Sequence, residues 1–291
     1  MSISVSTDFS DFCSRLKMPD ADVSNIIYRY HAITRRINKD FRYLDSDVSY
    51  SFYVGSYGRG TEIYTSDIDI VVVLPDEVYV QYNNYAYNGQ SQLLQAVKNS
   101  LKKTYSSSTL NGDGQVVDIN FSDGIKFEIV PAFINKDGSY TYPDSNEGGR
   151  WRVMNPKAEI NEFNTMNKNC NSNLTNLCKM VREWNRKNGV CMPGILIDTI
   201  AYRFLSNYQY KDKSYLYYDY MSRDFFKYLY ENADQEFWVV PGSGWHVKKK
   251  YSFKLDAKYA YEKCLKAIEY YNNKQEYSYY STWREIYGSK F

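Results

Sequence analysis

The stretch Ile68-Asp69-Ile70-Val71-Val72-Val73-Leu74 sets one acid inside a run of aliphatic and β-branched residues, with a second acid, Asp67, two positions earlier. Such a run reads as a buried strand, and Pro75 stops it. Residues two apart on a strand emerge on the same face, so the pattern forces two carboxylates side by side. They repel, and burying them uncompensated is costly; a divalent cation reverses that balance. Oxygen ligands suit Mg²⁺, with Mn²⁺ able to substitute. Asp67 and Asp69 are therefore read as metal ligands and catalytic residues.

Upstream lies Gly55-Ser56-Tyr57-Gly58-Arg59-Gly60-Thr61. Glycine at 55 allows main-chain N–H groups to approach a phosphate and Ser56 adds a hydroxyl, which makes a triphosphate cradle without a P-loop lysine. Gly55, Ser56 and Arg59 are the expected nucleotide contacts. A third carboxylate is needed to hold two metals about 3.5–4 Å apart. Glu128 is chosen, because it interrupts Phe127-Glu128-Ile129-Val130-Pro131-Ala132-Phe133, an otherwise apolar strand. Asp118 in Val117-Asp118-Ile119 is its rival.

Around these residues the periodicity alternates between helix and strand. Ile26, Tyr30, Ile33, Ile37, Phe41 and Leu44 recur every three or four residues and predict one long helix from Asp22, capped by Asp20 or Asp22. Strands are expected before Gly55, over 68–74, over 115–121 and over 125–133, the last two joined as a hairpin through Ser122-Asp123-Gly124. A helix is expected around Leu93–Leu101. The breaker-rich YPDSNEGG at 142–149 suggests a lobe boundary, giving a catalytic lobe over 1–145 and a helical lobe over 146–291. Helices are expected there over 156–167, 174–186, 195–205, 215–230 and 254–271.

A net charge of +2 provides no global basic field, which argues against a protein that coats long duplex nucleic acid. Five cysteines without a C-x-x-C suggest neither a disulfide framework nor a zinc ribbon, and a reducing cytosol is the simpler setting. Cys178 and Cys191 are expected to be buried small hydrophobes. The start lacks a secretory pattern and no stretch is long and apolar enough for a bilayer, so a soluble cytoplasmic monomer is expected.

Gly-Ser, then Asp-x-Asp, then the Glu128 strand with its Pro131-Ala132 together resemble the polymerase-β-type nucleotidyltransferases, and specifically the cGAS/DncV-like enzymes of bacterial anti-phage signalling. The resemblance extends through Asn146–Trp151, Leu177–Trp184 and Trp283–Gly288. It implies an α+β fold with a polymerase-β-like core sheet, a long N-terminal spine helix and a C-terminal helical lobe. It also implies ATP and/or GTP as substrates and a separate effector protein that reads a cyclic di- or trinucleotide. In that family a basic residue from the helix matching Leu177–Trp184 reaches the triphosphate; here Lys179 and Arg182 both qualify. A serine often found at the start of the next helix is replaced by Gly194. Only His31 and His246 are present, so the zinc ribbon of the animal DNA sensor is not expected.

The bland alternatives are a solvent-facing Asp118, a solvated basic face for Lys179 and Arg182, and ordinary packing for the aromatic run at 215–220. The chemistry expected is metal-dependent nucleotidyl transfer with release of pyrophosphate. The rivals are a terminal transferase acting on RNA or a protein hydroxyl, and a non-catalytic nucleotide sensor, which would have no need for so repulsive a cluster.

Overall fold

A computed structural model describes residues 3–291. In chain order the elements are α1 (Val5–Arg15), α2 (Asp20–Arg42), β1 (Ser51–Tyr53), α3 (Gly55–Arg59), β2 (Ile68–Val73), α4 (Asp76–Asn83), α5 (Gly89–Lys102), β3 (Thr109–Asp113), β4 (Val116–Asn120), β5 (Lys126–Ile134), β6 (Tyr140–Asp144) and β7 (Arg150–Met154). They are followed by α6 (Pro156–Asn169), α7 (Asn173–Asn188), α8 (Gly194–Asn207), α9 (Tyr218–Glu231), β8 (Phe237–Val239), β9 (His246–Lys248), α10 (Lys254–Asn272) and α11 (Glu276–Tyr287). This is the expected α+β class. No helix among the described residues is long and apolar enough to cross a membrane.

Two compact units divide the chain. The sheet unit comprises Met18–Arg59 and Thr65–Ile160; the helical unit comprises Met1–Lys17, Gly60–Tyr64 and Asn161–Phe291. Residue 145 falls inside the sheet unit, and the later division falls within α6.

In the sheet unit, seven strands run in the order β1-β2-β5-β4-β3, with β6 joining β5 to β7. Strands β2 and β5 are parallel while β4 and β5 form an antiparallel hairpin. Its turn closes through Gly124 N–H donating to the Phe121 carbonyl at 3.0 Å, with Gly124 at φ +88, a conformation that a side chain would strain. Arg29 of α2 clamps the turn through two bonds to Asp123, of 3.0 and 2.7 Å. The apolar stripe of α2, Ile26, Ile33 and Ile37, packs in one core with Ile68, Ile70, Val72, Ile119, Phe127 and Ile129. Burial of that stripe stabilises α2 far more than its intrinsic propensity does. The N-cap of α2 is Pro19, without a side-chain bond, so Asp20 and Asp22 do not cap it. They lie in its first turn, where they favour the helix by opposing its dipole.

The helical unit has a separate core in which Phe9 and Phe12 of α1 pack with Trp184, Phe226, Trp283 and Tyr287. Helices α1 and α11 are additions to the expected set. Val5, Phe9, Phe12 and Cys13 of α1 are buried at helical spacing, and Ser4 caps the start by accepting from Thr7 N–H at 3.4 Å. Cys178 is buried as expected; Cys191 is exposed, at φ +63, in the turn before α8.

Candidate active site

The acids converge because of strand register. Asp69 and Glu128 are direct partners across parallel β2 and β5, and Asp118 and Glu128 are direct partners across antiparallel β4 and β5. Paired residues in neighbouring strands project to the same face, so Asp69, Glu128 and Asp118 line up across three strands. Asp67, two residues before Asp69, joins them by alternation. Asp69 and Glu128 stand close enough across the two strands for the Glu128 charge to raise the Asp69 carboxyl. Both acids that competed for the third position stand in the cluster.

Its electrostatics are those of crowded like charges. Burial, with the Glu128 and Asp67 charges adding to it, pushes the Asp69 carboxyl up to about 7. Asp67 and Asp118 are also raised by burial, against the lowering influence of Lys126. Lys126 donates to Glu128 Oε1 at 2.5 Å and lies 3.7 Å from Asp118 Oδ1 and 3.9 Å from Asp67 Oδ2. The bond to Glu128 raises the lysine in turn. Lys126 was absent from the sequence reading, although Lys-x-Glu on a strand signals a shared face.

Gly55, at φ +60, begins α3 directly against Asp69. A Cβ there would lie 1.8 Å from Asp69 Oδ2, so only glycine admits this approach. The backbone is tied in place by Val54 N–H donating to the Asp69 carbonyl at 2.9 Å and Gly58 N–H to the Val54 carbonyl at 2.8 Å. Ser56 follows Gly55 in α3. Arg59 is only 6% exposed; it pairs with Glu159 at 3.5 Å, and its charge lowers Asp69.

Lys179 and Arg182 belong to the helical unit and are ion-paired there. Lys179 donates to Glu62 at 3.1 Å. Arg182 donates to Asp198 at 2.7 Å, to the Gly194 carbonyl at 3.1 Å and to Thr61 at 3.3 Å. A Cβ on Gly194 would meet Arg182 Nη1 at 2.4 Å, which explains why this position is bare: the guanidinium fills the space.

The residues fit a hard divalent ion. All donors are carboxylate oxygens, the set such ions prefer, and Asp118 Oδ1 is a buried acceptor without a hydrogen-bond partner. Among the described residues no three acids, histidines or cysteines are already closed to metal-binding spacing; the carboxylates surround the lysine instead.

Acids on one face of a parallel strand pair, beside a glycine-serine turn and within a mixed sheet braced by a long helix, define a polymerase-β-type nucleotidyltransferase. The family described as the Second Messenger Oligonucleotide or Dinucleotide Synthetase domain matches residues 3–167, more than half of the chain. The chain belongs to that family, the cGAS/DncV-like nucleotidyltransferases that make cyclic oligonucleotides. Solved structures of the same fold include E. coli MS115-1 CdnC with ATP, at TM-score 0.69 and 14% identity over 98% of both chains. Bradyrhizobium diazoefficiens CdnG in complex with GTP is similar at 0.69 and 11%, over 98% of this chain and 95% of that one. Vibrio cholerae dinucleotide cyclase DncV is similar at 0.67 and 10%, over 95% and 92%. No curated protein matches the chain.

Proposed function

We propose that this chain joins nucleoside triphosphates into a cyclic di- or trinucleotide second messenger, releasing pyrophosphate, with Asp67, Asp69 and Glu128 as ligands of Mg²⁺, for which Mn²⁺ can substitute. The observation that carries the reading is the cross-strand pairing of Asp69 with Glu128 next to Gly55, with too little positive charge alongside to balance the acids. When bound, the divalent ions supply charge neutralisation at the attacking and leaving oxygens.

The chain's own residues position the reactants. Gly55 and Ser56 receive the triphosphate through main-chain N–H groups and the Ser56 hydroxyl, close to the acids because no Cβ intervenes. The acceptor hydroxyl gives up its proton to water and its oxygen bonds to the α-phosphorus as the bond to the pyrophosphate oxygen breaks, without a covalent enzyme intermediate; alignment and charge stabilisation provide the rate. Arg59 supports the site by its charge next to Asp69 and its tie to Glu159. For Lys179 and Arg182, triphosphate contact requires exchange of their present acidic partners for phosphate.

ATP and GTP, bound by the CdnC and CdnG relatives, are the proposed substrates. The setting proposed is anti-phage signalling in the cytoplasm by a monomeric enzyme, with a separate effector responding to the product. Incubation with the four NTPs and Mg²⁺ or Mn²⁺, then nuclease digestion and mass spectrometry, tests this. A nuclease-resistant cyclic product without any macromolecular acceptor is expected; product formed only on added RNA or protein overturns it.

A further inference from the structure

Lys126 precedes Glu128 by two residues on β5, so alternation sends both side chains to one face. Its Nζ lies 2.5 Å from Glu128 Oε1, 3.7 Å from Asp118 Oδ1 and 3.9 Å from Asp67 Oδ2. These oxygens come from three pieces of chain: the approach to β2, the middle of β4 and the start of β5. One ammonium therefore stands among the same hard oxygens that a divalent ion would need. Two cations in that space would repel each other strongly, so the lysine and the metal exclude one another there.

We infer that Lys126 is a built-in competitor for the metal: it neutralises the acids in the metal-free enzyme, and a divalent ion binds by displacing its Nζ. The inference rests on the metal reading above and adds what sets the metal threshold. Lysine suits the part. Its charge is a point on a flexible four-carbon stem, and the side chain is 27% exposed, so the displaced head has a path to water. Three acids, Asp67, Asp118 and Glu128, share this one lysine, an excess of negative charge that keeps the cluster attractive to a divalent ion while the lysine is in place. A site so arranged stays folded without metal and fills when the ion arrives in sufficient concentration or together with a triphosphate.

The test uses the full chain and Mn²⁺ alone, with free Mn²⁺ followed by electron paramagnetic resonance and no nucleotide present. Lys126→Met removes the competing charge and should lower the Mn²⁺ dissociation constant about tenfold, about 1.4 kcal/mol. Lys126→Gln, a second neutral replacement, should do the same, while Lys126→Arg should stay near wild type. Melting curves should show the neutral variants gaining more from Mn²⁺ than wild type does. Equal or weaker Mn²⁺ binding by both neutral variants overturns the inference and makes the lysine a support for the acids. If wild type binds no more Mn²⁺ than an Asp69→Asn/Glu128→Gln variant, the metal reading itself fails, and the inference with it.

Discussion

In the helical unit Arg182 meets Asp198, Lys179 meets Glu62 and Arg186 meets Glu183, one cation for each acid, whereas in the sheet unit Asp67, Asp118 and Glu128 crowd around Lys126. Arg182–Asp198 joins α7 to α8, Lys179–Glu62 joins α7 to the 60–64 segment and Arg186–Glu183 lies within α7, whereas in the cluster three acids share one lysine, an arrangement open to an added cation. The glycines repeat the contrast. Gly194 is bare so that a side chain of the same unit can fill its space, while Gly55 is bare against a carboxylate.

The largest expected effect separates function from stability in the cluster. Asp69→Asn or Glu128→Gln should reduce pyrophosphate release by about a thousandfold or more, about 4 kcal/mol of transition-state stabilisation. The same variants, melted in EDTA, should be as stable as wild type or more so, because mutual repulsion is relieved. A variant that loses activity and stability together would make the cluster structural and erase the contrast.

Next in size is the opposite experiment. Asp198 is fully buried, so Asp198→Ala leaves Arg182 without its acid and should cost about 3–5 kcal/mol in denaturant unfolding. A loss below about 1 kcal/mol would show that the pair is held in reserve for another partner.

A smaller effect is expected at Asp219, an acid of the helical unit set in the buried face of α9. Burial pushes the Asp219 carboxyl up to about 6, against the lowering influence of the Tyr220 N–H, which donates to it at 2.7 Å, and of Arg223. A folded-state value above the unfolded one, about 3.9, means the folded chain binds more protons in between. Stability from this group is fully present below about pH 4 and falls by about 2–3 kcal/mol as pH rises to about 6. Asp219→Asn should flatten that decline, so urea unfolding at pH 4.5 and pH 7 should show its advantage over wild type growing with pH. An advantage independent of pH would remove the assignment.

Much of this was legible in the residues. A single acid within a β-branched run, another two positions before it, and Glu128 in its own apolar strand announce a carboxylate face through strand alternation alone. The 3.6-residue stripe of α2 and the turn at Ser122-Asp123-Gly124 are equally local. Helix α1 is as clear in principle, since Phe9, Phe12 and Cys13 have helical spacing. What local pattern could not decide is which strands become neighbours. Register between β2, β5 and β4 places Asp118 as well as Glu128 in the cluster and brings Lys126 among the acids, because cross-strand pairing depends on packing against a distant helix. The pairing of Arg182 and Lys179 with Asp198 and Glu62 likewise joins residues 16 and 117 positions apart. The chemistry available was written into the order of the side chains; how their charges are shared out was decided by the fold, since electrostatic interaction follows distance in space and not along the chain.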